Sequence, residues 1–531
     1  MVVHITKYMR HMEDIMLIFV SLLCVCSCGL GLYFYNTAWL RPKRIIKELR
    51  KQGINGPKPS FLAGNVPEMG KIMASKKAKE EYCSFTEDYA KVLFPYLLQW
   101  RRKYGPIFVY WIGNKPALYV SQKDLVRDIS LCVSLDLGKP VLLQKAHMPL
   151  FGKGILKANG MEWFNQRKLI APEFFMDKVK SMIELMVESV MPLVDSWESK
   201  AKNGGGVAEI IVDEDFRNFS ADVISRASFG SNYAEGREIF EKLRVLSLTI
   251  LRSNNLFDIS YLRFLPTKRN KLIEKLEKET GTLILNLVKE RKEDTLVSSR
   301  KDYFLTSLLE SVSTTSETTP NSSSSTDCFI VDNCKNIYYA GHETIAVTAT
   351  WCLMLLASYP RWQDLAREEV MELCKGQPPN ADMIQKMKTL TMVIQETLRL
   401  YPPASFIARE TFKEMKFGDV CIPKGINIWI PVSTMHQDME IWGMDAGKFN
   451  PERFVNGVLG ACNGHGYMFM PFGFGARTCL GLNFAMVELK VVLSMLLMKF
   501  TFALSPQYCH SPAFRLIVEP EFGVHLIVKR V

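Results

Sequence analysis

None of the 13 cysteines sits in a Cys-x-x-Cys pair, no zinc-finger spacing occurs and no internal repeat runs through the chain. The first two absences argue against a zinc site and against a disulfide framework. They favour a reducing, cytosol-facing setting for the main domain. Without a repeat, the 531 residues read as one large unit rather than an array. A helix-length basic stripe is missing too, which leaves nucleic acid a poor explanation of the net charge of +11. Acidic partners or an anionic membrane surface account for it better, with solvated Lys-rich faces supplying most of the excess. With 48% hydrophobic and 23% charged residues, the chain is globular with a substantial core.

Charge is absent altogether from Ile15 to Tyr35, "IMLIFVSLLCVCSCGLGLYFY". That run is long enough to cross a bilayer core. It is long for a signal peptide, and no A-x-A-type site ends it. "RPKR" and Lys47 follow it, whereas Lys7 and Arg10 before it are offset by Glu13 and Asp14. The positive-inside tendency therefore puts residues 1–14 in the lumen and everything after the span in the cytosol. Residues 36–65 read as a linker ending in a stiff, extended Pro/Gly-rich hinge, "GINGPKPSFLAGN". Residues 66–531 are then the main cytosolic domain.

Within that domain helical periodicity dominates, as at 181–200 and over the long apolar stretch 329–360 that Pro360 ends. β-type runs at 107–120 and 415–432 predict two hairpins, the second turning at Pro423, Lys424 and Gly425. The polar, β-branched segment 311–326 reads as a surface loop. Residues 480–500 are apolar enough to suggest a second span, but Glu488 and Lys490 near their middle favour a buried core helix.

The most informative stretch is "PFGFGARTCLG", residues 471–481. Cys479 in it has three possible roles: inert buried thiol, nucleophile or metal ligand. A nucleophile wants a nearby base, and the segment holds no histidine. A buried thiol is the default for a lone cysteine. Phe472, Gly475, Arg477, Cys479 and Gly481, however, fall in the spacing F-x-x-G-x-R-x-C-x-G. A loop that gives way to a helix here would let free N–H groups and the helix dipole steady a thiolate. Glycines would permit close backbone approach, and the Arg477 fork suits a carboxylate.

This pattern is the haem-ligand signature of the cytochrome P-450 (haem-thiolate monooxygenase) family, which the sequence resembles from anchor to C-terminus. The resemblance implies a mainly α fold with a small β region, preceded by one transmembrane helix. It implies haem b ligated by Cys479, with Phe472 in the same loop and Arg477, Trp163, Arg167 and Arg409 toward the propionates. Trp163 and Arg167 form W-x-x-x-R, and Arg409 lies in "FIARET". "AGHET" (Ala340–Thr344) matches A/G-G-x-D/E-T. There a small-residue pair would open a groove over the iron, Thr344 would hydrogen-bond bound dioxygen and Glu343 would relay protons. Ile345 replaces the Thr or Ser that many relatives carry next. Glu396 and Arg399 (E-x-x-R) and Arg453 (in "PERF") would form a buried structural network. For each of these residues alone a blander role is the default: a back-bonded helix threonine, or a surface ion pair. The ordered set of motifs overturns it.

The implied reaction inserts one atom of dioxygen into a small lipophilic substrate. Electrons come from NADPH through a membrane-bound NADPH–cytochrome P-450 reductase, and the enzyme sits in the endoplasmic reticulum membrane. Ala340, Phe406, Ile407 and Ala408 are implied pocket residues, as are segments 141–158 and 511–517. "FIVDNCKNIYYAGHET" and "HSPAFRLIVEPEFG" are similar to the plant branch that oxidises gibberellins and related ent-kaurane diterpenoids. Those compact rings carry carboxylates, which Arg515 or Lys145 would meet. The alternatives are oxidation of a triterpenoid or another plant metabolite, a P-450-fold isomerase or dehydratase, and a non-enzymatic hormone-binding protein.

Overall fold

The computed structural model describes residues 2–77, 88–230, 233–251, 266–297, 304–305, 308 and 323–531. Most of segment 311–326 lies outside these, and its last residues already belong to the helix Ser323–Ser358. That central helix is buried over most of its length and packs most extensively on the helix Val212–Phe229. Gly341 permits the approach, since a Cβ there would lie 2.7 Å from Ile224 Cδ1. The helix Leu482–Lys499 forms the second axis of the core, and twelve of its side chains are buried. Helices Ile183–Asn203 and Pro360–Cys374 pack beside it. Glu488 on this helix is buried with neither carboxylate oxygen bonded. Burial pushes its pKa well up, so it stays protonated. The segment is therefore a core helix, in keeping with its interior acid.

The β portion is small. Its main sheet orders the strands Ile107–Ile112, Lys115–Val120, Asn427–Ile430, Ile407–Thr411 and Leu137–Gly138. The first hairpin pairs as the sequence suggests, Ile107 with Val120 through Ile112 with Lys115. The second differs. Its turn lies at Gly418–Asp419, between Met415–Phe417 and Val420–Ile422, where Gly418 takes a positive φ of 55°. Residues 423–425 instead carry the chain from that hairpin into the main sheet.

The helix Val2–Tyr35 exposes its apolar side chains from Ile15 to Tyr35. It runs through a π-turn, Asn36–Leu40, into the basic helix Arg41–Lys51. Here the structure corrects the expected hinge. Trp39, Ile46, Leu49 and Ile54 are buried in one cluster with Trp111, Leu118 and Ile428. Val109 N–H donates to Asn55 O at 3.0 Å, and Gly64 bridges to Ile112. The stretch is folded onto the sheet because its apolar residues and open backbone groups find partners there. Eleven described cysteines are free, and Cys509 is disulfide-bonded.

Candidate haem-thiolate site

The site forms where the cysteine loop meets four other segments. Within the loop, Gly473 N–H bonds Met470 O at 3.0 Å, and Thr478 Oγ1 donates to Gly475 O at 2.7 Å. Cys479 N–H closes the loop onto Phe472 O at 2.8 Å. Gly475 has φ 75° and its missing Cβ would fall 2.0 Å from Ser130 O, so backbone packing is what demands a glycine there. Nothing lies within 4 Å of a Cβ placed on Gly481, the residue that caps the helix Leu482–Lys499. The Cys479 side chain is surrounded by protein yet keeps open surface, so it faces an internal space. Burial pushes its thiol up. The Gly481 N–H and the charges of Arg167 and Lys139 pull it back toward the thiolate.

Around this space stand five cations, Arg477, Arg167, Arg409, Lys139 and Lys157, with no acid in ion-pair reach among the described residues. Arg477 lies with its guanidinium carbon 3.9 Å over the Trp163 ring. Arg167, one turn along the helix Gly160–Ile170, lies 5.9 Å from the same ring. Arg477 Nη1 is buried and unbonded, and its sibling nitrogen reaches Leu137 O at 3.4 Å. Among the described residues the side chain of Arg409, on the strand Ile407–Thr411, bonds only Ala408 O, at 2.9 Å. Burial followed by Arg477 lowers Arg409 to about 10, and burial followed by Arg167 does the same to Arg477. Lys139 donates to Leu156 O and, at 3.4 Å, to Ile155 O. Burial, and then the charges of Lys157, Arg409, Arg477 and Arg167, push its ammonium well down. Among the described residues none of the five is in an ion pair. The nearby Glu410 accepts from Val141 N–H at 2.7 Å. Uncompensated buried charge of this kind is costly unless a ligand supplies the opposite sign.

In the central helix, Ala340, Gly341 and Thr344 are the partly open positions in an otherwise buried run. Ala340 and Thr344 share a face, and Thr344 Oγ1 donates to Ala340 O at 2.7 Å. The hydroxyl is thus back-bonded, and its oxygen can still accept. Glu343 points elsewhere. It takes Arg217 Nε at 3.3 Å and Arg244 Nη1 at 3.2 Å, while Arg217 also pairs with Glu519 at 2.8 Å. Burial opposes its ionisation, but His342, Arg217 and Arg244 outweigh burial and hold the carboxyl below its usual range. Ile345 is buried in the core. Phe406 meets Phe94 edge-on at 4.8 Å and Phe514 at 6.4 Å, and Ile407 and Ala408 beside it are half-buried.

A second polar cluster braces the loop. Arg399 makes two bonds to Glu396, at 2.7 and 2.8 Å, and donates to His436 O, Ala446 O and Lys448 O. Arg453 reaches Glu396 at 3.4 Å and Asp445 at 2.6 Å. His436, a residue that no motif singled out, receives the Met470 N–H at 3.1 Å, immediately before the cysteine loop. Burial and then Arg399 lower the imidazole to about 3, so it remains a neutral acceptor.

A mainly helical domain with a small sheet, a glycine-bent cysteine loop and a cationic cradle is what a haem-thiolate protein requires. The chain belongs to the cytochrome P450 family, whose model matches residues 85–525. It is 51% identical to Cytochrome P450 714C2 of Oryza sativa subsp. japonica, over 94% of this chain and 95% of that one. Cytochrome P450 714B3 of Zea mays is 49% identical (97% and 96%), and Cytochrome P450 714A2 of Arabidopsis thaliana 41% (94% and 97%). Membership makes it a P450 monooxygenase with cysteine-ligated haem, and the N-terminal helix is a candidate membrane anchor. The cradle fits that group, because haem brings two carboxylates to cations that lack them. Lys139 is the cradle residue that sequence reasoning missed. No motif marks it, and only the fold brings it beside Arg409 and Arg477.

Proposed function

We propose that this chain is a membrane-anchored monooxygenase that hydroxylates or epoxidises a gibberellin or a related ent-kaurane diterpenoid. Cys479 holds the haem iron, while Arg477, Arg167, Arg409 and Lys139, with Trp163 beneath Arg477, hold the propionates. The observation that carries this is the acid-free cation cluster around the one loop cysteine. When bound, the haem supplies dioxygen activation, with thiolate donation favouring O–O cleavage.

The chain's own residues do the rest. Thr344 offers its hydroxyl beside Ala340, where it positions a proton. Glu343 takes part in proton delivery only after leaving Arg217 or Arg244, since in its present pairing it is ionised and turned away. Phe406, Ile407 and Ala408 with Phe94 and Phe514 supply an apolar wall that excludes water and orients a lipophilic ring system. Residues 15–35 span the endoplasmic reticulum membrane once, with 1–14 lumenal and the domain cytosolic. NADPH serves through a partner reductase that meets the basic surface.

Microsomes containing the chain, reductase and NADPH, given a panel of gibberellins, ent-kaurane acids and triterpenoids, test this. Oxygenated gibberellin or kaurane products are expected. Turnover of triterpenoids alone would overturn the substrate class.

A further inference from the structure

Of the two cations expected to meet a substrate carboxylate, one is already engaged. Arg515 Nη1 pairs with Glu519 at 3.0 Å, and Glu519 is itself held by Arg217. Lys145 is an exposed residue. Lys157 is placed differently. It belongs to the 141–158 segment, and its ammonium lies 5.3 Å over the Phe151 ring. Phe151 in turn packs edge-on against Tyr339, 5.3 Å away and one residue before Ala340. Lys157 is half-buried and keeps part of its surface open. Among the described residues the hydrogen-bond partner of its ammonium is His147 Nδ1 at 3.1 Å.

The charge balance is uneven. Haem brings two propionates and Cys479 one thiolate, against Lys139, Lys157, Arg167, Arg409 and Arg477. No carboxylate is in ion-pair reach of Lys157 among the described residues. The nearby Asp332 is engaged by Lys153 N–H at 2.9 Å and by Lys335 at 4.0 Å. The two lysines also repel each other. Burial alone brings the Lys157 amine down to about 8, a further sign that its counter-charge is missing.

We propose that Lys157, steadied by His147, is the binding residue for the carboxylate of a terpenoid acid substrate. This rests on the monooxygenase reading above and names the group by which its substrate is recognised. A carboxylate there would take a charge-assisted hydrogen bond from the ammonium.

The test is equilibrium binding to the haem-loaded full-length chain, comparing an ent-kaurane carboxylic acid with its methyl ester and a triterpenoid acid with its ester. The unsubstituted chain should bind acid over ester by about tenfold or more. Lys157→Met should bring acid and ester within about twofold, while Lys157→Arg keeps most of the preference. Haem content, read independently, should be equal in all three. Equal binding of acid and ester by the unsubstituted chain overturns the proposal, and that measurement needs no variant. Loss of haem in Lys157→Met overturns it too, by assigning the lysine to the propionates. If only the triterpenoid acid binds and its preference depends on Lys157, the diterpenoid reading falls and the lysine's role stands. If the kaurane acid binds and Lys157→Met keeps its preference, the reverse holds.

Discussion

Two buried polar clusters lie on either side of the cysteine loop, and they differ in one respect. The Glu396–Arg399–Arg453 cluster has carboxylates, carbonyls and guanidiniums matched, with five donor contacts from Arg399 alone. The Lys139–Arg167–Arg409–Arg477 cluster has cations, one ring beneath them and an unbonded Arg477 nitrogen. Matched buried charge holds a fold together, whereas buried charge left without its opposite marks where a ligand belongs. Proteins with both therefore separate scaffold from site by how completely each cluster is satisfied.

Breaking the matched cluster should have the largest effect on stability. Glu396→Ala leaves Arg399 and Arg453 facing each other without their shared carboxylate, and should cost about 3–5 kcal/mol. Thermal unfolding and the yield of folded chain would show it. The open cluster should respond with the opposite sign. Arg409→Met removes an uncompensated cation, so the haem-free chain should gain about 1–2 kcal/mol while haem is lost more readily. Unfolding curves with and without haem separate the two effects. A loss of stability in the haem-free chain would put Arg409 with the scaffold.

Thr344→Ala should leave stability within about 0.5 kcal/mol, since it deletes a side-chain bond to a carbonyl already in a helix. It should raise NADPH consumed per product formed, and equal coupling would remove the role given to the hydroxyl. Glu488→Gln should show mainly in the pH dependence of stability. The folded pKa of Glu488 is raised, so the unfolded chain ionises first and stability falls as pH rises above about 4.3. The amide removes that dependence, so the variant should gain on the parent between pH 5 and pH 8 in urea titrations.

Much of this contrast was legible in the sequence, because both clusters are built on short local patterns. Glu396 and Arg399 sit one helical turn apart, Trp163 and Arg167 likewise, and Arg477 and Cys479 share a loop. What escaped notice depends on pairs far apart in the chain. Lys139 gains meaning only beside Arg409 and Arg477, and His436 only through Met470 N–H. Glu343 looks like a free relay until Arg217 and Arg244 come over it from two other helices. The expected hinge failed for the same reason. Its Pro and Gly residues suggest an extended strip between membrane and domain, but Ile54 and Gly64 within it meet the sheet.

The central claim is that Cys479 ligates haem within the open cluster, and a carbon monoxide difference spectrum of the reduced protein tests it most directly. The parent chain should give the thiolate-type Soret shift, and Cys479→Ser should lose it while keeping the Glu396 cluster's contribution to stability. A parent spectrum without that shift, or a Cys479→Ser variant that retains it, would contradict the account.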